Sequence, residues 1–314
     1  MVPYMTWELQ DISSDTLSLL AIDGLGGLTL QTLVNAGGSF DEVGNDLLQG
    51  KLDDALPSGA ASFLRKRMKR INSSALRMSG ESANAKIITA VDCDFPSLLL
   101  PLPACPAMLW CKGDSSLLAT AGVGIVGSRR CSEYGMRQAK LFTKEISQAG
   151  LTTFSGGARG IDGAAHRAAL QEGGKNVVVL GSGLRMPYPP EHAGLFDQIV
   201  SEGGVVISEF PCDYAPKPTN FPRRNRIVAG LSSVVLVVEA ANRSGALITA
   251  RIAVEEHGRE VYVLPGRIGD VSSAGCLRVL EEGWVQLALE ASVVITEAKA
   301  AHARLVRSNC EVRL

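Results

Sequence analysis

The chain has 314 residues, 46% of them apolar and 20% charged, with a formal net charge of −1. At roughly 150 residues per domain this allows about two domains, and the charge balance excludes a histone-like protein that coats nucleic acid by bulk attraction, while leaving room for a local cationic patch. Seven cysteines at 93, 105, 111, 131, 212, 276 and 310 form no C-x-x-C pair, which argues against a zinc ribbon or thioredoxin-type motif, and with no signal-like start and no apolar run of about 18 residues the expectation is a cytoplasmic protein with reduced thiols and no membrane span.

Residues 1–83 are expected to form a small all-helical domain. Leu17, Leu19, Leu20, Ile22, Leu30, Leu33 and Val34 are spaced for buried helical faces around Gly24-Leu-Gly-Gly27. A glycine hairpin between helices resembles the helix-hairpin-helix and sterile-alpha-motif (SAM)-like modules, where it serves either as a tight interhelical turn or as a phosphate contact. Arg65-Lys-Arg-Met-Lys-Arg70 places five cations in six residues, as a solvated helix face or an auxiliary nucleic-acid contact.

From residue 84 to about 297 the pattern changes. Strands are expected at Lys86–Val91, Met108–Cys111, Gly122–Val126, Thr152–Ser155, Asn176–Leu180, Val205–Ser208, Val234–Val238 and Val261–Leu264. Helical segments such as Ser132–Ala149, Ile161–Gln171, Glu191–Ile199 and Ala246–His257 lie between them. Continuous apolar strands alternating with helices predict a Rossmann-like, doubly wound, mostly parallel α/β sheet, whose carboxyl-terminal strand ends share one ligand-facing edge. Residues 298–314 are polar and are expected to be a flexible tail, with no winged-helix domain.

Five glycine- or proline-marked turns should fall on that edge: Gly127-Ser128-Arg129-Arg130, Ser155-Gly156-Gly157-Ala158-Arg159-Gly160, Asn220-Phe221-Pro222-Arg223-Arg224-Asn225-Arg226, Arg243-Ser244-Gly245 and Pro265-Gly266-Arg267. With residues 181–185 and Lys217 they hold ten basic side chains and no acidic one, which predicts a positive face. Backbone amides where a helix opens after Arg129 would receive an anion, and the fork of a guanidinium can grip phosphate with two hydrogen bonds. Glycines at 156, 157 and 160 would let a backbone approach closely. Phe221 could stack on a base while its neighbouring arginines hold the strand backbone, although one or two of them could instead form internal ion pairs.

The remaining motifs carry less. Gly122-Val-Gly-Ile-Val-Gly127 has the G-x-G-x-x-G spacing, but its apolar residues lie between the glycines, so it falls within a strand and does not indicate a dinucleotide. His166 follows Asp162 by four residues on one helical face, as an acid–base pair or, more commonly, as side chains fixing a helix start. Glu209 and Glu239 end two strands and are the carboxylates that a nucleotide-processing enzyme of the phosphoribohydrolase type would use; the P-G-G-x-G-T pattern of those enzymes is absent from the sequence.

An ordered set of segments resembles the DNA-processing protein A (DprA/Smf) family. It comprises Phe95-Pro96, Leu109-Trp110, Val126-Gly-Ser-Arg129 with Ser132, Tyr134 and Gly135, Ser155-Gly-Gly-Ala-Arg-Gly-Ile-Asp162 with His166, and Tyr188-Pro189. Ser208-Glu209, Phe221-Pro-Arg-Arg-Asn-Arg-Ile227, Gly230-Leu-Ser232, Val238-Glu-Ala240, Ser244-Gly-Ala-Leu-Ile-Thr-Ala250 and Val263-Leu-Pro-Gly266 complete it. The resemblance implies a non-enzymatic, cofactor-free and metal-free protein that binds single-stranded DNA as a homodimer and hands it to the recombinase RecA, protecting incoming strands in natural transformation. It maps Arg129, Lys217, Phe221, Arg223 and Arg226 to a basic groove. The chain departs from the family pattern at Phe95, where tyrosine is usual, at Cys276-Leu277-Arg278 and at Gly283-Trp284.

Overall fold

A computed structural model describes residues 8–312. Five short helices open the chain: α1 (Ser14–Leu20), α2 (Gly27–Gly37), α3 (Val43–Leu48), α4 (Ala60–Met68) and α5 (Ser73–Ser82). Ser13 caps α1 by accepting from the Thr16 amide at 3.2 Å, and Asn72 caps α5 by accepting from the Ala75 amide at 3.0 Å, each satisfying a donor that the helix start would leave unpaired. Gly44 on α3 lies so close to the backbone of Thr16 on α1 that a Cβ there would sit 2.3 Å from the Thr16 nitrogen.

These helices share a core with the α/β unit that the rest of the chain forms. Their residues Leu17, Leu30, Leu33 and Leu47 make one cluster with Ile87, Met108, Trp110 and Cys212 of that unit. The Gly24–Gly27 hairpin is the seam: the Gly27 amide donates to the Cys105 carbonyl at 2.9 Å, and the Ala107 amide donates to the Leu25 carbonyl at 3.3 Å. Of the two readings of this hairpin, the structural turn is the one realised, since its Gly27 amide is spent inside the protein.

The α/β unit is a nine-stranded sheet: β1 (Lys86–Thr89), β2 (Met108–Gly113), β3 (Gly122–Val126), β4 (Thr152–Ser155), β5 (Asn176–Leu180), β6 (Val205–Ser208), β7 (Val234–Val237), β8 (Glu260–Val263) and β9 (Gln286–Leu287). Its order is β1-β2-β6-β5-β4-β3-β7-β8-β9, with β1–β2 and β2–β6 antiparallel and all other pairs parallel. Strands β3 to β8 are almost wholly buried on both faces, as their unbroken valine- and isoleucine-rich runs predict. Helices α6 (Glu133–Gln148), α7 (Ile161–Gln171), α8 (Ala193–Ser201) and α12 (Ala291–Val312) cover one face, and α9 (Asn220–Leu231), α10 (Gly245–Glu255) and α11 (Ala274–Glu281) cover the other. The chain winds outward from β3 through β6, then returns to place β7 on the other side of β3. The point where winding reverses is therefore between β3 and β7, the position at which doubly wound sheets open a crevice for ligands.

Two expectations are corrected. Residues 298–312, expected as a mobile end, form the second half of α12, with Val294, Ala298 and Ala301 buried against β3, β7 and α6. The segment from Asn220, expected as a turn, is already helical. Pro222 sits in the first turn of α9, where its missing N–H would have had no helical partner. Asn220, Arg224, Ile227, Val228 and Leu231 then fall on one buried face, at helical spacing.

Trp110 is fully buried where the sheet meets the helices, and its ring lies against Gly80 of α5, leaving 2.6 Å for a Cβ. Gly80→Val is expected to destabilise the protein by about 1–3 kcal/mol, the usual penalty for overpacking. A lowered urea midpoint with an unchanged slope is the readout.

Candidate nucleic-acid interface

The loops after β3, β4, β5, β6, β7 and β8 emerge on one edge, and along it the cations follow strand order: Lys217, Arg159, Arg129, Arg243 and Arg267. Their surroundings differ from the acid-free patch expected, because acids arrive from distant segments. Arg159 pairs with Glu191, and Arg185 with Asp213 at 3.1 Å. Arg223 pairs with Asp23 of the helical hairpin and with Glu209 at 3.0 Å, and Arg226 with Glu209 at 2.8 Å. Glu209 is buried and serves both guanidinium groups. The internal ion pairs foreseen for one or two of the α9 arginines are thus made by Arg223 and Arg226.

Arg224 is corrected outright. It is buried, and its Nη1 donates to the carbonyls of Gly156 and Val179. It therefore pins loops together from below. Asn220 is likewise buried and donates to the Gly181 carbonyl at 3.1 Å, and Ser155 is buried and donates to the Ile125 carbonyl at 2.6 Å. Asn225 is partly exposed and donates to the Gly245 carbonyl at 3.5 Å.

The glycines also serve the interior more than a ligand. A Cβ on Gly156 would strike the Arg224 guanidinium at 2.2 Å, and one on Gly127 would meet Ile161 at 2.5 Å. Gly157 and Gly160 have φ of +65° and +72°, and a Cβ on Gly160 would meet the Ser128 carbonyl at 2.2 Å. Gly245, by contrast, is exposed with open space around it, beside Ser244, whose hydroxyl caps α10 by accepting from the Ala246 amide at 3.3 Å.

The helix start expected to receive an anion, that of α6, already holds one of the protein's own carboxylates, and a second carboxylate serves the loop before α7. Glu239, 1% exposed, accepts from the Ser132 amide at 3.0 Å and from the Ser132 hydroxyl at 2.5 Å at the opening of α6. Asp162 accepts from the Ala158 amide at 3.3 Å in the loop before α7. Its carboxyl is raised from the ordinary range mainly by burial, opposed by the nearby positive charge of Arg224. Ser128 turns inward as well, its amide donating to the Glu239 carbonyl at 2.7 Å.

Five cations remain exposed and without a carboxylate partner among the described residues: Arg129, Arg130, Lys217, Arg243 and Arg267. Arg129 lies 5.1 Å over the Phe221 ring, which meets the Tyr188 ring at 5.2 Å, and Arg159 lies 5.7 Å over Tyr188. A shallow cleft opens between Arg129, Arg159, Tyr188 and Phe221, with Gly156 among its lining. Tyr188 was not singled out as a site residue. It lies in a loop far from Phe221 in sequence, and only the strand order brings them together.

A basic row and planar rings thus lie together at the carboxyl ends of a doubly wound sheet. The sequence profile of the family described as DNA recombination-mediator protein A matches residues 86–299, and the chain belongs to that family. It is 45% identical to Protein Smf of Escherichia coli (strain K12) over 224 residues, 71% of this chain and 59% of that protein. It is 37% identical to DNA processing protein DprA of Streptococcus pneumoniae over 257 residues, 82% of this chain and 89% of that protein. The chain thus spans little more than half the length of the Smf relative. The crystal structure of the S. pneumoniae protein superposes with a TM-score of 0.77 at 34% identity, covering 91% of this chain and 98% of that one. DNA processing protein A from Helicobacter pylori, whose structure addresses its single-stranded DNA binding mode, gives 0.61 at 29% identity, covering 68% and 96%. No helix among the described residues is long and apolar enough to cross a membrane.

The Asp162–His166 pair is not formed. Buried His166 shares a hydrogen bond through Nδ1 with the Asn176 side chain at 2.9 Å, and burial pulls its pKa down to about 4. The unfolded chain, with an ordinary histidine near 6.5, therefore takes up this proton first as pH falls. Stability is expected to drop by about 3 kcal/mol between pH 6.5 and pH 4 on this account. Asp92, pushed up to about 6 by burial, contributes the opposite slope. The comparison is thus between the protein and His166→Gln, in which the Asp92 contribution cancels: urea midpoints at several pH values should converge as pH falls.

Proposed function

We infer that the chain binds single-stranded DNA along the row Lys217, Arg159, Arg129, Arg243 and Arg267, and that as a homodimer it delivers the strand to RecA. The observation that carries the reading is the set of exposed cations, all but Arg159 without a carboxylate partner among the described residues, that runs in strand order beside the Phe221–Tyr188 ledge. Guanidinium groups hold phosphates without reading sequence, and rings accept any base face, a combination suited to unpaired strands. The single-stranded DNA binding addressed for the H. pylori relative supports it.

The nucleotide-processing alternative needs a free carboxylate, and both candidates are committed: Glu209 to two arginines and Glu239 to Ser132. That commitment supports binding without turnover. Released base after incubation with nucleoside monophosphates would reverse this conclusion.

Arg129→Glu and Lys217→Glu are each expected to weaken single-stranded DNA of every sequence alike. The slope of log K against log salt should fall by about 0.7 for each phosphate contact removed. Fluorescence anisotropy on single-stranded and duplex oligonucleotides, followed by RecA filament assembly on the bound strand, measures both parts. Unchanged affinity and slope in both variants would overturn the assignment of the row.

A further inference from the structure

We propose that the single-stranded DNA path continues past Lys217 and Arg223 onto the outer face of α4, where Phe63, Lys66, Arg67, Lys69 and Arg70 form a second cationic and aromatic strip. The proposal rests on the functional reading above and extends it to the helical module.

The inner face of α4 is core, with Ala61, Leu64 and Met68 buried. On its outer side Phe63, Lys66 and Arg67 stand at i, i+3 and i+4 and so share one face. Lys69 and Arg70 follow in the turn that ends the helix. Among the five cations of this run only Arg65 pairs with a carboxylate among the described residues, that of Asp53, and it also donates to the Leu47 carbonyl. Lys66, Arg67, Lys69 and Arg70 are exposed and have no carboxylate partner among the described residues. Attraction between cations and the end of a helix favours lysine and arginine here, but it gives no reason for a phenylalanine on the same surface. Phe63 is 57% exposed, and its partner there is the Arg67 guanidinium, 5.1 Å over the ring.

The strip is joined to the rim by an unbroken series of contacts. Lys217 lies 4.7 Å over the Tyr214 ring, which stacks on Phe210 at 5.2 Å. Arg223 lies 5.3 Å over Phe210 and pairs with the Asp23 carboxylate, and Arg67 donates to the Asp23 carbonyl at 3.4 Å. The series runs from Lys217 through the Tyr214 and Phe210 rings to Arg223, and through Asp23 to Arg67 and Phe63. Asp23, the acid in the middle, is neutralised by Arg223. An anionic strand leaving the rim beyond Lys217 crosses a charge-balanced stretch, Arg223 and Arg226 against Asp23 and Glu209, and then meets the exposed cations and ring of α4, an arrangement of charge and aromatic surface that sequence-tolerant single-strand binders use. A folded acidic protein would satisfy the charges but has no need of the ring.

The test compares the 314-residue chain with Lys66→Ala/Arg67→Ala/Arg70→Ala, and separately with Phe63→Ala, on oligonucleotides of about 6 and about 20 nucleotides, one within and one beyond the site sizes of about 4–16 nucleotides of single-strand binding surfaces. The substituted side chains are exposed, and circular dichroism verifies the fold. The triple variant should bind the shorter strand as the parent does and the longer one on the order of tenfold more weakly, with its salt slope reduced by about 2, or 0.7 for each of three phosphates. Phe63→Ala should weaken the longer strand several-fold while leaving affinity for inorganic polyphosphate unchanged. If α4 variants match the parent on both lengths while Arg129→Glu loses both, the extension is wrong and the rim reading survives. If the parent binds neither length, the rim reading itself fails. Loss towards polyphosphate equal to the loss towards DNA, with no effect of Phe63→Ala, would make the strip a surface for acidic partners and overturn the proposal.

Discussion

Arg224 is the constraint on which the rim depends. Its guanidinium lies beneath the loops, donating to carbonyls at the ends of β4 and β5, with the Asp162 charge nearby to offset the cost of burying a cation. Gly156 is glycine because the guanidinium occupies the space a side chain would need. Since Arg224 belongs to α9, fixing it fixes the helix, and with it Phe221 against Tyr188 and Arg223 against Glu209. Losing the guanidinium would leave buried carbonyls unpaired, which costs more than the net value of the bonds themselves.

The same economy appears at the helix starts. Many α/β proteins leave these amides open for a phosphate. Here Glu239 fills the start of α6 from within, and Asp162 holds the Ala158 amide of the loop before α7. On the proposed reading, contact with the strand is made by long, exposed side chains that tolerate a variable backbone path. A rigid amide cradle would select one phosphate geometry, whereas separate guanidinium groups along an edge accept a flexible polymer.

The fold was largely legible because strands buried on both faces read as unbroken apolar runs: Val177, Val178, Val179 and Leu180 leave little ambiguity. β9 was not legible. It has two residues, both exposed, and is a strand only because β8 lies beside it. The last helix was hidden by alanines such as Ala298 and Ala301, which bury well but give weak hydrophobic contrast. At the site, the chemistry of the arginines was readable but their availability was not. Glu191, Glu209, Asp213 and Asp23 lie outside the basic segments and reach them only through tertiary structure. The period of α9 offered one unused signal, since Asn220, Arg224, Ile227 and Leu231 fall on the buried side of a helix drawn from Asn220.

The reversal of winding between β3 and β7 bears on how the chain matures during synthesis. β3 gains one neighbour soon, from β4, but its other edge waits for β7, and the Gly122 amide meets the Ser233 hydroxyl 111 positions later. Until that stretch has left the ribosome, the middle of the sheet has an unsatisfied flank lined by valine and isoleucine. Pairings of such long sequence separation form slowly because the intervening loop must be closed first. The nascent polypeptide is thus most open to wrong partners in the interval before β7 emerges, and the middle of the sheet closes only after that strand has been made.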